Sequence, residues 1–198
     1  GGGGGGGGAG AGGGDGGNRP PRGVTQEEAD LAAREGDTPE QRAARQKLAT
    51  AFYEETCPGM KASDIDSHVQ CIDHSRPVRV VTIPPDGDGP NGDTVYSWCY
   101  PSQERPGQYF SADPNTTPPQ LGVESGRRDH ATGAETYRER RAFQVSQDQP
   151  ARGLESTAAP ADVHWVKDAD VLPSRQTPGG GSQTVVPYNQ HGGITPKG

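Results

Sequence analysis

The chain has 198 residues, enough for one domain with a tail, and a net charge of −7. Leu, Ile, Val and Phe supply only 25 of these residues, whereas Gly and Pro supply 31 and 19. These counts exclude a large packed core, and the lack of any run of about 18 apolar residues excludes a membrane span. The acidic balance also argues against a nucleic-acid partner, because phosphate contacts need clustered Lys and Arg.

The chain begins with a segment, residues 1–17, that contains 14 glycines. Such a segment cannot bury enough apolar surface to offset its ordering entropy, so we predict a disordered, Gly-rich linker over residues 1–23. A chain that starts inside a glycine run indicates an upstream delivery region of a larger polypeptide. A gene-fragment boundary is the equally weighted alternative.

Two capping boxes, which start at Thr25 and Thr38, predict helices over residues 26–35 and 39–55. The second helix carries a narrow apolar stripe at 3.6-residue spacing, which predicts that it packs at the edge of the domain. Residues 24–56 are therefore assigned to a helical pre-domain.

The next stretch predicts a third helix over residues 64–73, with Ser63 as its N-cap. The strongest strand pattern follows at residues 78–83, and Pro84 ends it. The Gly-, Asp- and Pro-rich residues 86–93 predict a hairpin turn. A calcium loop is disfavoured there, because EF-hand spacing and a closing Glu are both missing.

The remainder of the chain predicts a run of short strands, with residues 113–133 mostly in loops. Helices followed by such a run indicate a loop-rich α+β fold with a small antiparallel or mixed sheet. Residues 57–198 are assigned to this α+β domain. The predicted strands cover residues 94–100, 108–111, 141–147, 163–166 and 184–186.

The three cysteines, Cys57, Cys71 and Cys99, allow either one disulfide with a free thiol or three free thiols. Together with His74, two of them supply at most three loose zinc ligands. Their spacing matches no closed structural site, so we predict no metal. The sequence also lacks a zinc-deaminase signature, a Walker-A lysine loop and a nucleophile elbow.

Two segments stand out in the second half of the chain. The first places Arg105 and Gly107 ahead of an aromatic pair, and the second is the Pro-Gly-Gly-Gly-Ser-Gln run of residues 178–183. Phe143 and Val145 alternate between them. In this order the elements resemble the NAD glycohydrolase domain of the tuberculosis necrotizing toxin family and related polymorphic-toxin C-terminal domains. The resemblance covers about residues 95–190. It departs from the family pattern after the Gln of the second segment, where the family's aromatic is replaced by Thr184.

The resemblance implies a secreted toxin domain that is delivered into a target-cell cytosol and neutralised by a cognate immunity protein. Its substrate would be NAD or NADP, cleaved at the nicotinamide–ribose bond, and no separate cofactor is expected. The resemblance makes Arg105 and Gln183 the catalytic residues. The substrate-binding residues that it implies are Gly107, Tyr109, Phe110, Trp165, Gly180, Gly181 and Ser182.

These residue types suit the implied reaction. Cleavage of the nicotinamide–ribose bond passes through an oxocarbenium-like state, and nicotinamide leaves as a neutral molecule, so no strong general acid is needed. Arg105 offers bidentate bonds to the pyrophosphate, and Gln183 offers a hydrogen bond to the ribose, the nicotinamide amide or the attacking water. The hypothesis requires that both side chains line one cleft of dinucleotide size.

Two other functions stay open on the sequence alone. A ribonuclease toxin is suggested by the basic run of residues 138–141 near His130. A non-enzymatic adhesion or scaffold module is the third hypothesis.

Overall fold

The computed structural model describes residues 18–84 and 94–197, and within them the chain has three α-helices followed by twelve short strands. The α+β prediction is confirmed. The strands form several small sheets, and every pair in them is antiparallel. Most of the predicted linker and the predicted turn at residues 86–93 lie outside the described residues.

The helices are α1 (Gln26–Ala33), α2 (Pro39–Thr56) and α3 (Ala62–Gln70). Both predicted capping boxes are present, at the starts of α1 and α2. The Ser63 cap is wrong: α3 starts two residues earlier than predicted, at Ala62, and its N-cap Lys61 makes no side-chain cap bond. Ser63 thus lies in the first turn of the helix, where its carbonyl accepts a hydrogen bond from the Ser67 hydroxyl.

The main sheet has the strand order β1–β7–β11–β3 and carries a core on each face. A second sheet has the order β12–β6–β2, a third the order β5–β4–β9, and β8 pairs with β10. The strand bounds are β1 Arg79–Ile83, β2 Thr94–Cys99, β3 Tyr109–Phe110, β4 Gly126–Asp129, β5 Glu135–Tyr137, β6 Glu139–Val145, β7 Ala151–Thr157, β8 Ala161–Asp162, β9 Ala169–Leu172, β10 Gln176–Thr177, β11 Ser182–Val185 and β12 Ile194–Pro196.

The predicted hairpin between the first two strands is wrong. β1 pairs with β7 over its whole length, whereas β2 pairs with β6 in a different sheet. The Gly- and Pro-rich sequence between β1 and β2 signals a change of direction, but turn residues alone do not say which strand will be the partner.

One further strand prediction is wrong. Residues 163–166 form no strand; Val163 and Val166 are instead buried in a small core with Ala169 and Val171. Residues 113–133 are mostly outside strands, as predicted, and the short β4 within them is the middle strand of its sheet.

The position of α2 also differs from the prediction. Its buried face is wide, and it packs against α1, α3 and β1 instead of lying at an edge. Leu48 and Phe52 of α2 share one core with Val80, Leu154 and Val185 of the main sheet. This core therefore crosses the predicted boundary between the helical pre-domain and the α+β domain.

Arg45 fixes the helices to one another and to the sheet. Its guanidinium is fully buried and donates to the carbonyl oxygens of Ala32 (3.0 Å), Arg34 (2.6 Å) and His74 (2.8 Å). The Ala32 carbonyl also accepts from the backbone N–H of Val78, directly before β1. The end of α1, the middle of α2 and the start of the sheet therefore meet at one side chain.

A second tie joins the beginning of the described chain to β7. Arg152 donates to the carbonyl of Arg19 (2.8 Å) and lies 3.2 Å from Glu55, and the Arg19 side chain lies 3.0 Å from the same carboxylate. We call Arg19, Glu55 and Arg152 the entry clamp. Within the described residues, no helix is long and apolar enough to cross a membrane.

Replacing Arg45 by Met should destabilise the domain strongly. The substitution keeps most of the side-chain volume but removes three charge-assisted bonds from buried carbonyls, so we expect the free energy of unfolding to fall by about 3 kcal/mol or more. Urea denaturation measures this. Arg42→Met, on the exposed face of the same helix and paired with Asp37, is the matched control and should change stability little. Equal effects of the two substitutions would contradict the role given to Arg45.

Candidate functional site

The register of β3 and β11 brings two of the predicted site residues to one face of the main sheet. Tyr109 lies directly opposite Val185, and Gln183 lies two positions before Val185 on the same strand. Because side chains alternate along a strand, Tyr109, Val185 and Gln183 all project toward the helices. The sequence separation of 74 positions between Tyr109 and Gln183 is thus closed by a single pairing of strands.

Gln183 is a buried amide with spare hydrogen-bonding capacity. Its side chain is 2% exposed, and its Nε2 donates to the Ser156 hydroxyl at 3.2 Å. Ser156 lies directly opposite on β7, so the bond follows from the register. The amide oxygen of Gln183 makes no hydrogen bond to the residues that the structure describes.

Tyr109 has a ring-lined environment. Its hydroxyl lies 3.3 Å from Nδ1 of His68, and the His68 ring stacks on Tyr53 with centroids 5.2 Å apart. Burial raises the pKa of Tyr109 and lowers the pKa of His68. At neutral pH the phenol therefore keeps its proton and can donate it in a hydrogen bond to a neutral imidazole.

Arg105 lies in the loop that leads into β3. The residue is exposed, and its guanidinium makes no hydrogen bond or ion pair with residues 18–84 or 94–197. Only its backbone carbonyl is engaged, by the side chain of Gln103. Antiparallel pairing carries the loop with Arg105 beyond the C-terminal end of β11, whereas Gln183 lies near the start of that strand. The two residues thus stand toward opposite ends of β11, with Tyr109 between them.

The glycine run before β11 is used by the protein itself. The backbone amides of Gly179, Gly180 and Gly181 donate to the carbonyls of Pro119, Ala158 and Gln120. A Cβ at Gly179 would lie 2.5 Å from the backbone of Ala159, and one at Gly181 would lie 2.9 Å from the carbonyl oxygen of Gln120. Glycine is therefore required here because the protein's own backbone segments lie so close together. Within this run, only the exposed Gly180 has open space beside it.

The remaining predicted residues lie in three different settings. Phe110 is fully buried in the core on the other face of the sheet, edge-on to Phe143. Trp165 is 48% exposed and contacts the ring of His164 outside the main sheet. Ser182 is exposed at the first position of β11, and Gly107 faces open space.

A cavity of about 330 Å³ lies elsewhere, beside the sheet β5–β4–β9. Its lining includes Tyr100 and Arg127, and both of these side chains bond the fully buried Glu124. Burial alone would raise the pKa of Glu124, but Arg138 and the phenol of Tyr100 keep it below its ordinary value. Tyr100 and Arg127 of this lining are thus engaged in holding one buried carboxylate.

The basic run that suggested a ribonuclease is also engaged in contacts within the protein. Arg138 bonds Glu124 and the carbonyl of Trp98, and Arg140 donates to the carbonyl of Pro114. Arg141 bonds Glu139, and His130 lies 3.0 Å from Asp170. These side chains hold loops to strands and do not form a free cationic patch.

Cys57, Cys71 and Cys99 are all free thiols. Among the described residues, no group of three or more His, Cys, Asp or Glu side chains is placed to hold a metal ion.

Comparison with known proteins gives a family. A family model described as bacterial toxin 46 (Ntox46) matches residues 30–192, which include both the helices and the main sheet. The chain belongs to the bacterial toxin 46 family. No curated protein matches it. Among solved structures, Tse6 in complex with Tsi6 matches with a TM-score of 0.58 and 20% sequence identity, over 79% of this chain and 96% of the other. At that identity the likeness concerns the fold.

Two residues of the toxin domain's candidate site escaped the sequence analysis. Ser156 lies on β7, which was not predicted, and His68 was not singled out. Neither residue carries a local signal, because each meets its partner only through tertiary packing. The placement of Tyr109 beside His68 follows from α3 lying over the edge of the sheet.

Acidification from pH 7 to pH 5 should destabilise this toxin domain. Burial holds the pKa of His68 below its ordinary value of about 6.5, so the unfolded chain binds more protons as the pH falls, and stability is lost. His68→Phe keeps a ring against Tyr53 but removes the titration. We expect this variant to lose less stability than the wild type between the two pH values, as measured by urea denaturation. His74 and His191, whose pKa values are lowered in the same way, leave part of the pH dependence in place. An unchanged pH dependence in His68→Phe would show that His68 titrates normally.

Proposed function

We propose that this toxin-family domain hydrolyses NAD or NADP at the nicotinamide–ribose bond. In this reaction the C–N bond breaks, nicotinamide leaves with the bonding electrons, and water adds its oxygen to the ribose carbon and releases a proton. The nicotinamide is cationic in the substrate and neutral once released. The enzyme therefore needs to position groups and stabilise charge more than it needs to supply an acid.

One observation carries the proposal. β11 carries the buried amide oxygen of Gln183, and the loop that leads into its partner strand β3 carries Arg105, whose guanidinium has no partner among the described residues. Arginines such as Arg138 and Arg141, by contrast, are bound to protein carbonyls or carboxylates. Polar groups left without protein partners are candidates for binding a substrate. The family assignment supports a toxic activity for a domain of this fold.

Each of the three residues has a distinct role in the proposal. Gln183 accepts a hydrogen bond from the attacking water or a ribose hydroxyl, and the Ser156 contact keeps its carboxamide in one orientation. Arg105 binds the pyrophosphate with two parallel hydrogen bonds. Tyr109, whose hydroxyl is protonated, lies between them and contacts the ribose. The proposed substrate thus extends along β11.

The biological setting forms part of the same proposal. Tse6 has been solved in complex with Tsi6, and we extend this arrangement to a cognate immunity protein for the present domain. Delivery into a target-cell cytosol by an upstream region of a longer polypeptide gives the toxin access to its dinucleotide.

Incubation of the purified domain with NAD or NADP tests the activity, with released nicotinamide measured by chromatography. We expect cleavage by the wild type and a loss of about a hundredfold in kcat/KM for both Arg105→Ala and Gln183→Met, because each removes a positioning or charge-stabilising group. Gln183→Met nearly preserves side-chain volume. The melting temperature of Gln183→Met shows whether a lower rate reflects the loss of the amide or a destabilised fold.

Matched controls lie on the opposite edge of the sheet and on the surface. Arg76→Ala and Gln147→Ala remove the same residue types from exposed positions and should keep wild-type rates. Unchanged NAD and NADP after incubation with the folded wild type would contradict the proposal. RNA cleavage under those conditions would favour the ribonuclease hypothesis. Toxicity retained by the Arg105→Ala/Gln183→Ala double variant would favour a non-enzymatic module.

A further inference from the structure

The proposed reaction uses the hydroxyl of Tyr109, and the direction of its proton decides what that hydroxyl offers to a ligand. A phenol hydroxyl is one donor and also an acceptor, so a ligand meets whichever of the two is left free. Tyr109 is partly exposed, and the residue is therefore not sealed inside the core. The neighbour placed to fix the proton is His68, whose Nδ1 lies 3.3 Å from the Tyr109 oxygen.

The backbone that carries His68 is attached to the main sheet. Directly after α3, the carbonyl of Cys71 accepts from the N–H of Ala159 at 2.9 Å. The N–H of Asp73 then donates to the carbonyl of Thr157 at 2.8 Å. The inner face of α3 is buried in the core that the helices share with the sheet. The last turn of the helix, which contains His68, is thus held in place against β7.

The orientation of the His68 ring is fixed by a second ring. It stacks on Tyr53 of α2, with 5.2 Å between the ring centroids and 22° between the planes. Tyr53 is itself buried and lies edge-on to Phe52, so it gives the imidazole a firm support. A side chain whose rotamer is held by packing can position a neighbouring group for binding or catalysis.

The ionisation of the pair favours one direction for the hydrogen bond. Burial raises the pKa of Tyr109 and lowers the pKa of His68, so at neutral pH the phenol carries its proton and the imidazole is neutral. A neutral imidazole has one ring nitrogen without a proton, and this nitrogen accepts. When Nδ1 is that nitrogen, the phenol donates its only proton to His68. The lone pairs of the phenol oxygen then stay free to accept from a ligand.

We infer that His68 is a positioning residue that makes Tyr109 a hydrogen-bond acceptor for a ribose hydroxyl. His68 accepts the phenol proton at Nδ1, so it acts through Tyr109 and does not itself touch the substrate. The inference rests on the proposed function, which places the ribose at Tyr109. It adds a chemical requirement, because the sugar must offer a hydroxyl proton at this point. The nicotinamide ribose of both NAD and NADP meets that requirement.

A double-mutant cycle in the NAD cleavage assay tests this role. We expect Tyr109→Phe and His68→Phe each to lower kcat/KM about tenfold, which corresponds to the loss of one oriented hydrogen bond. The variant with both substitutions should match Tyr109→Phe alone, because no hydroxyl is left for His68 to orient. If His68 served only packing, His68→Phe would lower kcat/KM by the same factor in either background.

Two further variants complete the cycle. His68→Asn should return kcat/KM to within about threefold of the wild type, because the carboxamide oxygen can replace Nδ1 as the acceptor. His130→Phe removes the exposed imidazole beside Asp170 and is the matched control, which should keep the wild-type rate. The melting temperature of His68→Phe should stay close to that of the wild type, since a ring remains stacked on Tyr53.

The tautomer of His68 can be measured directly. In the nitrogen NMR spectrum of the histidine-labelled wild type at neutral pH, we expect His68 to carry its proton on Nε2 and none on Nδ1. A proton on Nδ1 would make His68 the donor and Tyr109 the acceptor in their bond, which overturns the inference.

The outcomes separate this inference from the proposed function. A folded wild type that leaves NAD and NADP intact overturns the proposed function itself. With an active wild type, the role of His68 is overturned by multiplicative losses in the double variant, or by a rate of His68→Asn no higher than that of His68→Phe. A Tyr109→Phe variant as active as the wild type overturns it as well.

Discussion

The fold depends on one buried cation. Arg45 is enclosed by α1, α2 and the turn before β1, and its charge is compensated by three backbone carbonyls, without a carboxylate bonded to it among the described residues. Burial lowers the pKa of this guanidinium, but Arg remains charged at any physiological pH. A domain with few large apolar residues thus uses a directional polar centre where a larger protein would use more hydrophobic packing.

The position of Arg45 is linked to the geometry of the candidate site. Arg45 shares the Ala32 carbonyl with Val78, which leads into β1, and β1 pairs with β7. β7 in turn sets the register of β11, where Gln183 meets Ser156. A change in the packing of the helices would therefore alter the sheet face that carries the Gln183 amide. The helices predicted as a separate pre-domain act as part of the scaffold for the site.

Local signals predicted the fold where local interactions decide it. The capping boxes at Thr25 and Thr38 are satisfied within four residues, so the sequence alone identifies them. β7 reads Ala-Arg-Gly-Leu-Glu-Ser-Thr, with one β-branched residue and a glycine, and it is a strand because neighbours pair with both of its edges. The wrong hairpin has the same origin, since partner choice for β1 is made at a distance.

The candidate site could be predicted from the sequence to the same extent as the fold. Arg105, Tyr109 and Gln183 could be named from their order along the chain, yet only the strand register shows that two of them share a face and that the third lies past the far end of β11. The glycines before β11 were predicted to face a ligand, and the structure uses their backbone amides to dock a neighbouring loop. Sequence order identifies residue types suited to a reaction, but it does not reveal which groups the fold has already engaged.

The entry clamp has a mechanical consequence. Arg19, Glu55 and Arg152 connect the first described residues to the end of α2 and to the central strand β7. A force applied at the amino-terminal side would act on the entry clamp before it acted on α1. Through Arg152 the clamp is attached to β7, which is hydrogen-bonded to a neighbouring strand along both edges. The amino-terminal side of the described chain is therefore anchored to both the end of α2 and an interior strand before α1 begins.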